Sequence, residues 1–164
     1  MEIRTERLVL RPARAGDAAA LWRVFSDPEA MRYWSTLPHA DPEETRALVE
    51  GLQAQPEGHP YFVVDAGGTA IGTAGFWQGS EVGFLLRPDH WGRGLGGELL
   101  DALIAHGFGP CGFARIDADV DPRNDASIGL LESRGFRETG RAERTIQLGD
   151  VWADSVYFSL ERSR

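Results

Sequence analysis

Hydrophobic and polar positions change rhythm several times along the chain. TERLVLRPA, residues 5–13, reads as a first strand. In GDAAALWRVFS, residues 16–26, Leu21, Val24 and Phe25 recur at helical spacing, and Asp17 stands where an N-cap belongs. The stretch 27–40, rich in proline and aromatic residues, reads as a short helix or loop. DPEETRALVEGL, residues 41–52, carries every sign of a helix start: Asp41 caps, Pro42 takes the first position and Glu44 completes a capping box. Residues 60–88 contain three strands, broken at Ala66-Gly67-Gly68 and at Gln78-Gly79-Ser80. A helix follows over 95–106, then a strand in ARIDADVD (114–121) and a helix in NDASIGLLESRG (124–135) that stops at Gly135, a C′ glycine. FRETGRAERTIQ and DVWADSVYFSLE form a closing hairpin around Leu148-Gly149-Asp150. The order β-α-α-β-β-β-α-β-α-β-β predicts an α+β fold: a mixed, mostly antiparallel sheet of about seven strands with four helices.

The length of 164 residues suits one domain spanning 1–164 with a core of its own. A net charge of −8 argues against nucleic acid and anionic membrane as partners, since both are negative. Most of these charges read as solvated surface, although the balance tolerates a cationic partner. The single cysteine, Cys111, permits no internal disulfide, and no Cys/His cluster has metal spacing. The first twelve residues lack an apolar signal region and no run is long enough to span a bilayer, so a cytoplasmic, membrane-free protein is expected.

One stretch has no ordinary explanation. DHWGRGLGGELL, residues 89–100, sets Gly92, Gly94, Gly96 and Gly97 directly before an apolar helix, although each glycine in a helix costs about 1 kcal/mol relative to alanine. The first turn of a helix offers unpaired N–H groups and a partial positive charge. A phosphate exploits both if no side chain blocks it, and Arg93 adds a cation, so the stretch reads as a pyrophosphate cradle rather than a plain turn. Gly92, Gly94 and Gly97 also satisfy the dinucleotide pattern G-x-G-x-x-G. Two features oppose that fold: Arg87 to Trp91 separate the strand from the first glycine, and antiparallel strands rather than βαβ units surround it. The missing G-K-[ST] excludes a P-loop.

RPDHWGRGLGGELL resembles the coenzyme-A-binding motif of the GNAT superfamily of N-acetyltransferases: Gln or Arg, two residues, Gly, one residue, Gly or Ala. Here it reads Trp91-x-x-Gly94-x-Gly96, and tryptophan at the first position is similar to the ribosomal-protein (RimJ/RimL-type) branch. TERLVLRPA, NDASIGLLESRGF and DVWADSVYFSL fit the same branch in the same order, covering nearly the whole chain. The resemblance implies acetyl-CoA as donor, an amine as acceptor, no metal, and direct transfer in a ternary complex, with Cys111 no acyl carrier. It implies that a splayed fourth strand holds pantetheine through the backbone of Leu85, Leu86 and Arg87, while Gly92, Arg93, Gly94, Leu95, Gly96 and Gly97 hold the pyrophosphate; Leu85 and Leu86 equally suit plain core. A backbone N–H near Leu85 would meet the developing oxyanion.

Acetyl transfer needs a neutral amine. A lysine-like amine is only about 0.04% neutral at pH 7 and an α-amine roughly 10%, so a base or water relay is expected. The resemblance points to Glu81, four residues before Leu85, as that base; an exposed edge glutamate is the plain alternative. Asp154 is a second candidate, or an anchor for a cationic acceptor. The tyrosine that many family members use to protonate the leaving thiolate is here Leu131. The branch supplies Asn124-x-x-Ser127 instead, with Asn124 near the cofactor and Ser127 a hydrogen-bond donor to sulfur; alternatively Asn124 is an N-cap and Ser127 a first-turn residue. Tyr33, Trp34, His39, Phe76 and Trp77 sit in segments that wall the acceptor site in related enzymes, and also suit a core. A protein or peptide N-terminus, a small-molecule amine, and a non-catalytic acyl-CoA sensor all stay open, as do monomer and homodimer.

Overall fold

The computed structural model describes residues 1–164. Eight strands and four α-helices alternate as β1 (Ile3–Arg4), β2 (Val9–Arg11), α1 (Ala18–Phe25), α2 (Pro42–Gln53), β3 (Tyr61–Ala66), β4 (Thr69–Phe76), β5 (Val82–Leu86), α3 (Leu95–Phe108), β6 (Arg115–Val120), α4 (Asp125–Ser133), β7 (Arg137–Leu148) and β8 (Val151–Glu161). The first strand expected over 5–13 is the main departure. A turn in which the Thr5 N–H donates to the Leu8 carbonyl at 2.9 Å divides it, so only 9–11 pair with β3 while 3–4 fold back as an extra edge strand. Residues 27–40 form turns with no regular helix.

Strands β1 to β5 make one antiparallel sheet in that order, and β6-β8-β7 make a second antiparallel sheet. The two meet at one point. Glu81 bridges Asp117 in parallel, and the Asp117 N–H donates to the Ser80 carbonyl at 3.0 Å. Beyond it no ladder joins β5 to β6, and the strands diverge toward their C-terminal ends. This gap is the feature around which the site is built.

Strand alternation distributes the core to both faces of the larger sheet. Leu10, Val64, Ile71 and Leu86 pack with Leu99, Leu100 and Leu103 of α3 and with Ile116 and Phe158 of the smaller sheet. Val63, Ala70 and Leu85, one residue out of phase, face Leu21, Val24 and Phe25 of α1 and Val49 of α2. Leu85 and Leu86 are therefore core through their side chains, which leaves only their backbone for a ligand. Glycine at 72 lets β4 and β5 approach closely: a Cβ there would lie 1.8 Å from the Leu85 carbonyl oxygen.

The α2 capping box forms as the sequence dictates: Asp41 accepts from the Glu43 N–H at 2.8 Å, and Glu44 reaches back to the Asp41 N–H. Asp17 does not cap α1 with its side chain. Its carboxylate instead takes both terminal nitrogens of Arg11, at 2.9 and 2.8 Å, while Arg11 Nε donates to Asp65 at 2.9 Å. All three groups are buried, and the paired guanidinium holds Asp17 below the usual carboxylate range against the opposing effect of burial.

Candidate active site

The cleft between β5 and β6 contains two adjoining chambers. One, of about 540 Å³, runs from Phe84–Leu86 past Trp91, Gly92 and Gly94–Gly96 to the start of α4. The other, of about 510 Å³, lies toward the Glu81 end and is walled by residues of α1, α2, the 33–39 segment, β5, β6 and β8. Tyr33, Trp34, Phe84, Asn124 and Ser127 line both and form the passage between them. Both chambers draw on residues far apart in sequence, because the divergence of β5 and β6 leaves two backbone edges that only α4 and the 33–39 segment cover.

The register of β4 and β5 decides which backbone groups face that gap. The Arg87 N–H donates to the Ile71 carbonyl at 2.7 Å, and Thr73 stands opposite Leu85. In an antiparallel pair, hydrogen-bonded and non-hydrogen-bonded residues alternate, so Leu85 and Arg87 spend their peptide groups on β4. Phe84 and Leu86 turn theirs into the cleft, where no strand partners them. Of the expected Leu85, Leu86 and Arg87, Leu86 turns its peptide group into the gap, joined there by Phe84, while Leu85 lines the same chamber with its own peptide group paired to β4. Leu86 has a further neighbour: the Trp91 indole Nε1 donates to its carbonyl at 2.9 Å. The tryptophan in the first position of the glycine motif thus caps the end of β5.

The glycines divide by role. Gly92 and Gly94 both adopt positive φ, 72° and 77°, a region that side chains rarely enter. Gly94 is the N-cap of α3 and brings no side-chain cap, which leaves the first-turn N–H groups of Leu95, Gly96 and Gly97 without an intrahelical partner. A Cβ on Gly96 would press Leu130 of α4 at 3.3 Å, and one on Gly97 would collide with the Arg134 guanidinium at 2.3 Å. Gly97 is buried and lines neither chamber. The Arg134 contact is with the end of a flexible side chain, so the absent Cβ at Gly97 is not a strict packing requirement. Arg93 also lines neither chamber; its carbonyl accepts from Arg7 Nη1 at 2.7 Å.

Arg7 escaped the sequence reading. Its N–H and Nε each donate to the Glu98 carboxylate at 2.7 Å, which also accepts from the Thr5 hydroxyl at 2.5 Å. Burial works to raise the pKa of Glu98, but these donors together hold it down. The β1–β2 turn is thereby clamped to both sides of the α3 N-terminus. Arg7→Ala should loosen the cradle and raise the acetyl-CoA KM about tenfold, the equivalent of one charged hydrogen bond near 1.4 kcal/mol. Steady-state kinetics should show kcat nearly unchanged. Arg7→Lys should not restore the KM, because an ammonium cannot span Glu98 and the Arg93 carbonyl at once.

Glu81 opens into the second chamber. Although solvent reaches it, crowding by the cleft walls raises its pKa, and the charges of Asp119 and Asp117 raise it further. Asp119 and Asp121, one strand across, were absent from the sequence expectation yet line the same chamber. Asp121 is buried and pairs with Arg123 at 2.7 Å, whose hydrogen bonds hold it below the usual carboxylate range. Asp154, from β8, accepts from the Arg144 N–H at 2.8 Å beside an irregularity of β7. Trp77 packs edge-on against Tyr61 at 5.2 Å, and Trp34 stands between the chambers. His39 lies stacked on Phe25, its Nδ1 2.7 Å from the Thr45 hydroxyl, with its pKa lowered by burial. Phe76, by contrast, is core beneath α3.

At the passage, Asn124 caps α4 by accepting from the Ser127 N–H at 3.2 Å. That bond uses the Ser127 amide; the residue lines both chambers, and its hydroxyl makes no hydrogen bond within the protein. Leu131, two turns into α4, is buried and brings an apolar side chain to the wall where a tyrosine was expected to be missing.

A sheet that splays over a glycine-opened helix defines the acyl-CoA N-acyltransferase class. Comparison with known proteins agrees. Residues 7–137 match the acetyltransferase (GNAT) domain family. A protein of Bacillus licheniformis named as uncharacterized N-acetyltransferase p20 is 34% identical over 83% of this chain and 82% of its own. The L-amino acid N-acyltransferase MnaT of Escherichia coli is 27% identical over 93% and 92%. Among solved structures, yncA of Salmonella typhimurium, an acetyltransferase determined with acetyl-CoA, is 25% identical with a TM-score of 0.72 over 97% and 96%. The Salmonella typhimurium acetyltransferase that modifies the N-terminal serine of ribosomal protein L7/L12 shares the fold, with a TM-score of 0.84 at 19% identity over 99% and 100%. The chain belongs to the GNAT acetyltransferase family. No helix in it is long and apolar enough to cross a membrane.

Proposed function

We propose that this protein, as one catalytic domain over 1–164, transfers acetyl from acetyl-CoA to a primary amine by direct attack. The observation that carries the reading is the pair of chambers meeting at Ser127, one floored by an uncapped, glycine-opened helix N-terminus and the other walled by carboxylates. The residues fit coenzyme A: Gly92, Gly94 and the Leu95–Gly96 amides suit the pyrophosphate, and the outward peptide groups of Phe84, with the Leu86 N–H, suit an extended amide arm, the Leu86 carbonyl being held by Trp91. When bound, acetyl-CoA supplies a thioester whose C–S bond breaks as the acceptor C–N bond forms, with the electron pair left on sulfur.

The chain's residues do the rest. Glu81, directly or through water, takes the proton that the acceptor nitrogen must lose. Crowding by the cleft walls, with the charges of Asp119 and Asp117, raises the Glu81 pKa and so makes it a stronger base than an ordinary carboxylate. The Ser127 hydroxyl donates a hydrogen bond toward the junction, where charge gathers on the leaving group. Tyr33, Trp34 and Trp77 hold the acceptor, and Asp154 orients its charge.

Free thiol released from acetyl-CoA over a panel of amines tests the reading, and a protein that binds acetyl-CoA yet releases no thiol would be the sensor instead. Ser127→Ala should lower kcat about 10- to 150-fold with the acetyl-CoA KM nearly unchanged, since a hydrogen bond to a charged group is worth about 1.5–3 kcal/mol. Leu131→Tyr in that background should recover part of the loss. A full-speed Ser127→Ala enzyme would reduce Ser127 to a helix residue. The relatives' names divide over the acceptor, between amino acids and a protein N-terminus, and both remain within this reading.

A further inference from the structure

We infer that Tyr33 gives the proton that the sulfur of the leaving coenzyme A takes up. The inference rests on the acetyltransferase reading above, which accounts for the proton the acceptor loses and leaves the thiolate without a source of one.

The donor must stand where the two chambers meet, because the amine attacks the carbon that sulfur leaves. Five side chains line both chambers: Tyr33, Trp34, Phe84, Asn124 and Ser127. A phenol, with an ordinary pKa of about 10, gives a proton to a thiolate, whose thiol has one of about 8.5, far more readily than an aliphatic alcohol, an indole or a carboxamide does. Ser127 can therefore steady the charge on sulfur by a hydrogen bond, and Tyr33 can discharge it. The other acidic groups stand elsewhere. His39 lines only the acceptor chamber and His90 only the cofactor chamber. Tyr61 lines the acceptor chamber alone, with its hydroxyl 3.1 Å from that of Thr73, and Tyr157 lines neither.

The Tyr33 ring is half-buried and braced from two sides of the cleft. The guanidinium carbons of Arg32 and Arg123 lie over it, 5.2 and 5.6 Å from its centroid. Arg123 is itself held by two side-chain hydrogen bonds, of 3.0 and 2.7 Å, to the buried Asp121 at the end of β6. The brace thus ties the segment after α1 to the loop that leads into α4, beside Asn124 and Ser127. The Tyr33 hydroxyl makes no hydrogen bond within the protein, so its proton is free for a ligand. The step balances without a further reactant. The acceptor proton goes to Glu81, the C–N bond forms as the C–S bond breaks, sulfur takes the phenolic proton, and exchange with water resets Glu81 and Tyr33.

The purified protein is assayed with acetyl-CoA and whichever of butylamine, leucine and a tetrapeptide with a free N-terminus it turns over fastest. Tyr33→Phe keeps the ring and its two guanidiniums and removes only the hydroxyl. It should lower kcat about 10²-fold, in the range for loss of a general acid, with the acceptor KM and the calorimetric affinity for acetyl-CoA each within twofold of wild type. Tyr33→Leu, which also loses the ring, should be as slow and raise the acceptor KM about tenfold. A Tyr33→Phe enzyme that keeps its kcat overturns the inference, and with a slow Tyr33→Leu it would make the ring a wall and nothing more. A Tyr33→Phe enzyme whose acetyl-CoA affinity falls in step with kcat also overturns it, by making the hydroxyl a binding group. The underlying reading fails separately, if wild-type protein binds acetyl-CoA and releases no thiol with any of the three amines.

Discussion

Gly94→Glu should weaken acetyl-CoA binding about 10²- to 10⁴-fold. Two effects combine. The residue sits at φ 77°, so any side chain there strains the turn by roughly 1–2 kcal/mol and moves the first amides of α3. The new Cβ would come within 3.4 Å of Arg7, and the added carboxylate would both seek that guanidinium and repel phosphate. Losing two charge-assisted hydrogen bonds at about 1.5–3 kcal/mol each accounts for the range. Circular dichroism should show the fold intact, because Gly94 lies at a surface turn before α3 rather than in the core. Calorimetric titration reads the affinity. Gly94→Asn is the control: asparagine tolerates the left-handed region and adds no charge, so it should retain most of the binding. Unchanged affinity in Gly94→Glu would remove the cradle from the site.

Glu81→Gln should lower kcat/KM about 10²- to 10⁴-fold near neutral pH, the span for loss of a general base. The deficit should shrink as pH rises and the acceptor deprotonates unaided. The wild-type profile should lose activity on its acidic side at a higher pH than an ordinary carboxylate would give, because crowding and the nearby Asp119 and Asp117 raise the Glu81 pKa. The sign for stability runs the other way. A carboxylic acid whose pKa is raised by folding favours the folded state while protonated, and that contribution fades as pH climbs through the raised pKa. Glu81→Gln keeps the group neutral at every pH, so it should melt slightly higher than wild type at neutral and alkaline pH and at the same temperature in acid. A slower but thermally firmer variant would separate a catalytic carboxylate from a structural one. A pH–rate profile identical to that of wild type would exclude the role.

The elements most legible in the sequence were those governed by local chemistry. Asp41, Pro42 and Glu44 write a helix start within four residues, and Gly135 ends α4 at φ 90°. The hairpin from 137 to 161 was readable because strand signals flank a tight glycine turn at Gly149. The glycine run before α3 was legible for the same reason: backbone conformation at Gly92 and Gly94 is a local property. Family resemblance supplied Glu81, Ser127 and Trp34, the last-strand carboxylate Asp154 was read beside them, and all four line one chamber.

Distance in sequence hid the rest. Gly96 and Gly97 look identical to Gly92 and Gly94 on paper, but only the approach of α4 reveals that Leu130 and Arg134 occupy the space their side chains would fill. Asp17 carries an N-cap signature, yet a buried Arg11 claims its carboxylate because an unpaired internal charge costs far more than a missing cap. Leu85 and Leu86 are equivalent in a sequence pattern, and one hydrogen bond, from Arg87 to Ile71, decides which of them turns its peptide toward the cleft. Arg7 reaches Glu98 across 91 residues. Asp119 acquires meaning only when β6 meets β5 at a single bridge and then leaves it. Caps, turns and alternation depend on neighbours a few residues away, so the sequence by itself determined most of the elements and the glycine-opened start of α3. The cleft, its charge and the backbone groups that face it depend on how two sheets part, which only the tertiary structure decided.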